Sequence, residues 1–342
     1  MALKIFALDP PSTPPKWWWW LFVGATSVIL LLMPEYLELY VIIDLTSYFI
    51  FALLALSMSF LWGYCGILSF GQTAFFGLGG YGYTVLALNT GDTTGSIFFA
   101  LALPMLFSAI VGYFMIYGRI SDIYLSVITL VVTLILEKGI RATSGEQYVI
   151  GSVRLNGQNG IPTVPSLKIP WDTSVEFSFE GFFQLAVVLM VLIYVGLRML
   201  LLTKYGRILV SIRENERRTE LLGYDSRKYK LSAFVLAGGI AGLSGALFAI
   251  WGPLAHPQMF GLGRAADVII WVLVGGKATL IGPIAGAIGI EYLKLWLGTQ
   301  GVGQVPFVLG LVLMLFVLLF QQGVLPSVGM VLSYAQQKLR RR

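Results

Sequence analysis

Apolar residues occupy this chain in long blocks that polar residues only punctuate. Blocks at 17–33, 40–62, 96–117, 121–140, 182–202, 231–251 and 305–320 are continuous enough to read as helices crossing a bilayer. Three more, at 66–88, 264–274 and 279–297, are apolar but interrupted by glycine or by charge. Together the pattern predicts ten crossings. The fold class expected is an all-α polytopic membrane protein, because in lipid a helix satisfies its own backbone hydrogen bonds. A β-barrel needs alternation with period two, which these runs lack.

The division that follows is an N-terminal segment 1–16, a transmembrane body 17–325 and a basic tail 326–342. Within the body, 141–181 is an outer polar stretch and 203–230 a charged loop. The four tryptophans at 17–20 suit an interfacial belt, and the first apolar run lacks a small-residue cleavage site, so it is expected to stay as an uncleaved span.

Composition agrees. Of 342 residues, 57% are hydrophobic and 12% charged, against about 25% charged in soluble domains. The net charge of +6 gathers in two places, the loop 204–230 and the tail 338–342. The loop carries Lys204, Arg207, Arg213, Arg217, Arg218, Arg227, Lys228 and Lys230 with Glu214, Glu216, Glu220 and Asp225. Placing both termini in the cytoplasm puts this loop, Arg119 and Lys277 inside, and leaves Glu35, Glu38 and Asp92 in the short outer loops. Such a distribution speaks for topology and not for nucleic-acid binding.

Within the loop, Ile208, Leu209 and Ile212 share one helical face, Glu214 stands four residues before Arg218, and Gly223 suits a left-handed stop. Composition leaves two readings open: a helix that a soluble partner grips, or a solvated topology signal.

Segments 63–80 and 275–286 are poor continuous helices because glycine recurs in them. Glycine-broken segments in both halves of a chain mark a transporter's central site, since unwound backbone at membrane depth must line a cavity or be buried. The other reading is close helix packing through small residues. Ser69, Gly71, Gln72 and Thr73 are the expected lining of a path for a small polar solute. Gln158 and Asn159, in the 156–160 turn, either close over its mouth or form a plain turn. Charges at membrane depth need partners: Arg264 with Asp267 and Glu291 with Lys294 fit, whereas Asp44 and Glu137 have no evident one.

Catalytic signals are weak. Gly77, Gly79 and Gly82 match a dinucleotide-binding spacing, but inside an apolar run without a βαβ pattern. Gly276-Lys277 ends like a phosphate loop, yet Ala278 stands where Ser or Thr is needed. Cys65 and His256 are single, so a thiolate cluster, an internal disulfide and an H-E-x-x-H site are excluded. The expectation is no catalytic residue, no metal and no cofactor bound by this chain.

The run Gly66-Ile-Leu-Ser-Phe-Gly71-Gln72, the Arg213-Glu214-Asn215-Glu216 stretch followed by Leu222-Gly223-Tyr224, Tyr229-Lys230-Leu-Ser-Ala-Phe-Val235, Ala241-Gly-Leu-Ser-Gly-Ala246, and Gly275-Gly276 with Gly282-Pro283 together resemble the branched-chain amino-acid permeases of ABC importers, over residues 40–325. Trp62-Gly-Tyr-Cys-Gly, Tyr117-Gly-Arg-Ile-Ser-Asp122 and Asn159-Gly-Ile-Pro162 are most similar to the urea branch of that family, in its second permease subunit.

The resemblance implies a heterodimer with a sister permease, two cytoplasmic ATPase subunits that use the ATP, and an extracytoplasmic solute-binding protein. It implies that Arg213, Glu214, Asn215, Glu216, Leu222 and Gly223 couple to an ATPase, and that 66–80 lines the path. The leading substrate expectation is urea, with short amides. The alternatives are branched-chain or other hydrophobic amino acids, or a stand-alone solute channel. Gln72, where the amino-acid branch often has His, fits a neutral solute, and the Ser69–Thr73 group offers no counter-charge to an amino acid.

Overall fold

The computed structural model describes residues 17–169, 172–277 and 279–300, and beyond them 304, 307, 308, 310, 311 and 314. The segments 1–16 and 326–342 and most of the last expected span, 305–320, lie outside the described residues.

Ten α-helices follow in order among those described: α1 (Trp17–Leu32), α2 (Leu39–Ser59), α3 (Gln72–Thr90), α4 (Thr93–Tyr117), α5 (Asp122–Ala142), α6 (Phe179–Leu202), α7 (Lys204–Leu221), α8 (Ser226–Trp251), α9 (Leu262–Gly275) and α10 (Ile281–Thr299). Five segments are long and apolar enough to cross a membrane: Leu39–Cys65, Thr93–Tyr117, Asp122–Ala142, Phe179–Leu202 and Ser226–Trp251. The protein is thus an all-α polytopic membrane protein. α9, with 14 residues, reaches only about 21 Å at 1.5 Å per residue, and it doubles back into α10.

Local chemistry sets the helix starts. Asp92 accepts hydrogen bonds from the backbone N–H groups of Thr94 and Gly95 at the start of α4, Ser178 from Gly181 at α6, and Asp225 from Arg227 at α8. Each takes up donors that a helix leaves without an intrahelical partner.

α8 is the axis of the bundle, packed on α2, α3 and α4. Its glycines allow this closeness. A Cβ on Gly79 of α3 would lie 2.0 Å from the Gly242 carbonyl oxygen, and one on Gly245 only 1.8 Å from that of Phe76. Gly242 also receives the Pro104 ring of α4. Backbones approach in this way where lipid removes the hydrophobic drive between helices and dispersion must supply it. α9 and α10 meet by the same device at Gly275, Gly282 and Gly286. For these glycines, packing is the observed role.

The connections sort into two ends. At one, a Cβ on Gly63 would strike the Lys277 carbonyl, Gly66 lies against Arg213, and Lys230 pairs with Asp122. This basic end gathers Arg119, the charged loop and Lys277. At the other, strand β3 (Ile161–Pro162) pairs antiparallel with β6 (Leu254–Ala255), and Asn89 bonds to Ile150 and Ser152. The outer polar stretch is therefore ordered by short ladders: β1 (Val149–Ile150) with β2 (Val153–Arg154), and β4 (Lys168–Ile169) with β5 (Asp172–Glu176).

Most of the membrane-depth charges are paired, and Asp44 has no ion-pair partner among the described residues. Arg264 and Asp267 lie 3.6 Å apart, Lys294 and Glu291 2.7 Å apart, and Lys294 also reaches Asp267 at 2.8 Å, so one network ties α9 to α10. Glu137, without an evident partner in the sequence, is bound by Arg141 at 2.8 Å, one turn on.

Gly79→Val is expected to destabilise the detergent-solubilised protein by about 1–3 kcal/mol of overpacking. Gly24→Val, at a site with nothing within 4 Å, should leave the melting temperature unchanged. Lys294→Met should cost about 3 kcal/mol by leaving Glu291 without its ammonium and Asp267 with Arg264 alone. Neutralising both with Asp267→Asn and Glu291→Gln should restore most of that loss, read by the same thermal melts.

Candidate functional site

The site is built where the two glycine-broken segments meet the charged loop. α2 does not stop at Ser59: it widens into a π-turn, Phe60–Cys65, and ends at Gly66, whose φ of 85° only glycine adopts without strain. Residues 66–71 are then irregular until α3 begins at Gln72. Ser59 Oγ donates to the Thr279 carbonyl at 3.1 Å, and Lys277 lies 5.3 Å from the Trp62 ring centroid. The two segments from opposite halves of the sequence are thus one junction. Arg213 of α7 donates to the Gly63 carbonyl and is joined to it without an intervening group.

Backbone polar groups in 66–71 have no helix to satisfy them, and α5 supplies the partners. Ser126 Oγ bonds the Leu68 carbonyl at 2.9 Å, Thr129 Oγ1 accepts from the Phe70 N–H at 3.1 Å, and Thr133 Oγ1 bonds the Phe70 carbonyl at 3.3 Å. All three are buried. Asp122, at the start of α5, pairs with Lys230 at the basic end, and Thr133 stands eleven residues further along. The irregular segment therefore climbs about 16 Å into the bundle at 1.5 Å per residue. Sequence reasoning gave these α5 hydroxyls no role. The available signal was their 3- and 4-residue spacing in the apolar middle of the helix.

Ser69, Gly71, Gln72 and Thr73 lie together and buried. Ser69 Oγ accepts from the Gly71 N–H at 3.1 Å, Thr73 bonds the Phe70 carbonyl, and Gln72 Oε1 accepts from Ser57 at 3.1 Å. Among the described residues, Gln72 Nε2 has no hydrogen-bond partner. Gln158 and Asn159 are not part of this group. They are exposed in the turn Gly157–Asn159 on the opposite end, separated by most of the length of α3.

The charged loop differs from a single short helix. Asn215 has φ −161° and ψ 97°, so α7 is two pieces. The first is amphipathic and buries Ile208, Leu209 and Ile212. Asn215 then starts the second: its Oδ1 accepts from the Arg218 N–H at 2.9 Å and its carbonyl from Thr219 Oγ1 at 3.0 Å. The break corrects the expected Glu214–Arg218 pair, because the two no longer lie one turn apart on one helix. Glu214 instead receives Arg213. Glu216 pairs with Lys230 at 2.6 Å, and Glu220 accepts from Ser226 at 2.6 Å. Gly223, at φ 90°, ends the second piece, with its N–H on the Glu220 carbonyl at 2.9 Å.

A cleft of about 410 Å³ opens beside this loop, lined in part by Arg119, Asp122, Glu216, Arg217, Arg227 and Lys230. The hydrogen bond and charge of Arg227 hold the Asp225 carboxyl below the usual carboxylate range, so this helix cap is ionised at neutral pH. Its contribution fades as pH falls through that lowered range. Leu221 and Leu222 project into solvent, 84% and 68% exposed, from a loop otherwise clamped to the bundle. No group of three or more His, Cys, Asp or Glu side chains able to hold a metal occurs among the described residues.

Residues 41–321 match the family described as branched-chain amino acid transport system / permease component. The chain is 27% identical over 268 residues to the high-affinity branched-chain amino acid transport system permease protein LivM of Escherichia coli, covering 70% of this chain and 59% of that protein. It is 26% identical over 267 residues to the protein of the same name from Salmonella typhimurium, covering 71% and 60%. To the probable LivM of Methanocaldococcus jannaschii it is 22% identical over 281 residues, covering 72% and 78%. The matched part thus spans about three-fifths of the first two relatives. None of these three names mentions urea, and the sequence's closeness to the urea branch finds no support in them. No solved structure matches the chain. By the extent of the family match, the chain belongs to the permease components of branched-chain amino acid transport systems.

Proposed function

We propose that this chain is the membrane-spanning permease subunit of an ATP-driven importer, and that its cargo is a branched-chain or other hydrophobic amino acid. The observation that carries the reading is the mechanical continuity at the basic end. Exposed Leu221 and Leu222 offer an apolar grip at the tip of a charged loop. Asn215 divides that loop, and Arg213 fastens it to the Gly63 carbonyl beside the irregular segment 66–71. A push on the tip would reach the buried Ser69–Thr73 group through Arg213 and the irregular segment beside it.

Partners belong to the same proposal. Two ATPase subunits would dock on the tip and spend the ATP, a sister permease would complete the path, and a solute-binding protein would deliver cargo to the opposite end. In this reading the basic end faces the cytoplasm of the plasma membrane by the positive-inside rule, and both termini would lie on that side. Arg213, Glu214, Asn215 and Glu216, with Leu222 and Gly223, are the transmitting residues in this reading. Ser69, Gly71, Gln72 and Thr73 line the path at depth, while Gln158 and Asn159 stand at its outer mouth.

Urea is the second reading. It is favoured by the neutral character of the Ser57–Gln72 group, where the Gln72 amide keeps an unmatched donor. Amino-acid cargo has the support of the relatives' names.

Leu221→Asp with Leu222→Asp should abolish ATP-dependent uptake in cells, by about a hundredfold or more if the docking grip is an interface hot spot. Both residues are exposed, so thermal stability should be unchanged. Undiminished flux would indicate a channel. In the complete transporter, labelled leucine should be taken up and unlabelled urea in excess should not compete. Competition by urea and absence of leucine uptake would reverse the cargo assignment.

A further inference from the structure

The cleft of about 410 Å³ beside the charged loop is walled by three parts of the chain: the α4–α5 connection, the second piece of α7 and the start of α8. Arg119, Arg217, Arg227 and Lys230 line it, together with the carboxylates of Asp122, Glu216 and Glu220. Each carboxylate is already engaged. Lys230 holds Glu216 at 2.6 Å and Asp122 at 3.5 Å, and Glu220 accepts from Ser226 Oγ at 2.6 Å. Arg227 is occupied as well, by Asp225 at 3.1 Å and by the Tyr117 ring, whose centroid lies 5.3 Å from the guanidinium carbon. Arg119 and Arg217 differ. Among the described residues, neither guanidinium has an ion-pair partner. The cleft thus presents two unmatched cations from two different walls, beside charges that balance among themselves.

Arg119 also holds an unusual backbone. Its φ of 54° is in the left-handed region that disfavours a side chain, while Gly118 directly before it has an ordinary φ of −69°. Glycine at 119 would make this turn without strain, yet a guanidinium stands there. Outliers of this kind cluster at ligand clamps. The cleft borders lipid too. Phe114 near the end of α4 is 71% exposed. On α5, Ile123 and Tyr124 follow the cleft-lining Asp122 directly and are exposed, and Val127, Val131 and Ile135 continue the apolar face. A soluble anion or an acidic protein segment has no use for such a face. A molecule with a phosphate head and acyl chains uses the cations and the face together, and basic pockets between helices at a membrane surface take such heads.

We propose that the cleft binds the phosphate head of an anionic phospholipid between Arg119 and Arg217, with the acyl chains lying along the exposed apolar residues of α5. The two guanidiniums would donate to the phosphate oxygens. Arg227 and Lys230 would stay with their carboxylates. Bound in this way, the lipid bridges the α4–α5 connection to the second piece of α7 and braces the loop beyond its break at Asn215. Leu221 and Leu222 remain exposed. The site is independent of the cargo, and it requires only that the basic end meet the membrane surface.

The test uses the full-length chain in detergent. The probes are phosphatidylglycerol, phosphatidylethanolamine with the same acyl chains, and inorganic phosphate, read by native mass spectrometry and thermal melts. Phosphatidylglycerol is expected to be retained and to raise the melting temperature. Zwitterionic phosphatidylethanolamine at the same concentration should do neither. Arg119→Asn and Arg217→Gln should each weaken phosphatidylglycerol binding about fivefold, the worth of one cation near a charged headgroup. Asn tolerates the left-handed backbone at 119, so Arg119→Asn should melt no lower than the unaltered chain without lipid. Arg154→Gln removes a cation of the outer polar stretch and should bind phosphatidylglycerol unchanged. Equal retention of the two lipids overturns the proposal, as does undiminished phosphatidylglycerol binding by both the Arg119→Asn and Arg217→Gln variants. Displacement of the lipid by an equal concentration of inorganic phosphate overturns the lipid as occupant in favour of a soluble phosphate. Loss of the lipid when ATPase subunits are added assigns the two arginines to a protein partner and overturns it likewise.

Discussion

A backbone that leaves the helix inside a membrane must find a partner for every N–H and C=O it frees. The rest of this structure is arranged around that constraint. Between Gly66 and Gly71 the chain is irregular well within the bundle, and α5 meets its needs with three hydroxyls at helical spacing. Water would do the same in a soluble protein. Here Ser126, Thr129 and Thr133 do it, which fixes the rotation of α5 about its own axis and turns its apolar residues outward. The segment keeps its exchangeable hydrogen bonds as a result. A continuous helix would offer none.

The second constraint is closeness. Glycines on α3 and α8 bring carbonyl groups to positions that any side chain would occupy, so these two helices behave as one rigid unit. The same residue type serves a different end at Gly66 and Gly223, where positive φ turns the chain. Rigid packing and sharp turns alternate along the sequence. This gives a stiff frame with a few points at which the direction of the chain changes. Arg213 sits at one of them, between the loop and the Gly63 carbonyl.

Electrostatics follow burial. Lys294 serves Asp267 and Glu291 together, and Lys230 serves Glu216 and Asp122, so each buried ammonium faces two carboxylates. Such sharing offsets the cost of taking charge out of water and ties helices distant in sequence. The Glu137–Arg141 pair differs. It closes within one helix, one turn apart, and keeps the buried carboxylate from standing alone.

Much of this was legible in the chain. Apolar run length gave the helices, since a bilayer demands about 20 apolar residues of any span. Glycine density marked both irregular segments, and the basic loop marked one end. The pairs Arg264–Asp267 and Glu291–Lys294 were readable because their partners are three residues apart. Contacts between distant residues were not readable. Nothing in 63–80 or 275–286 says that Gly63 abuts Lys277, and nothing in α5 names Phe70 as the partner of Thr129 and Thr133. The break at Asn215 also escaped, because Asn caps a helix or sits within one according to what its neighbours bury. Periodicity and composition act along one helix, whereas these contacts depend on how helices pack against each other. The sequence by itself determined which segments are apolar helices and which end is basic; only the tertiary structure decided which polar groups face one another within the bundle.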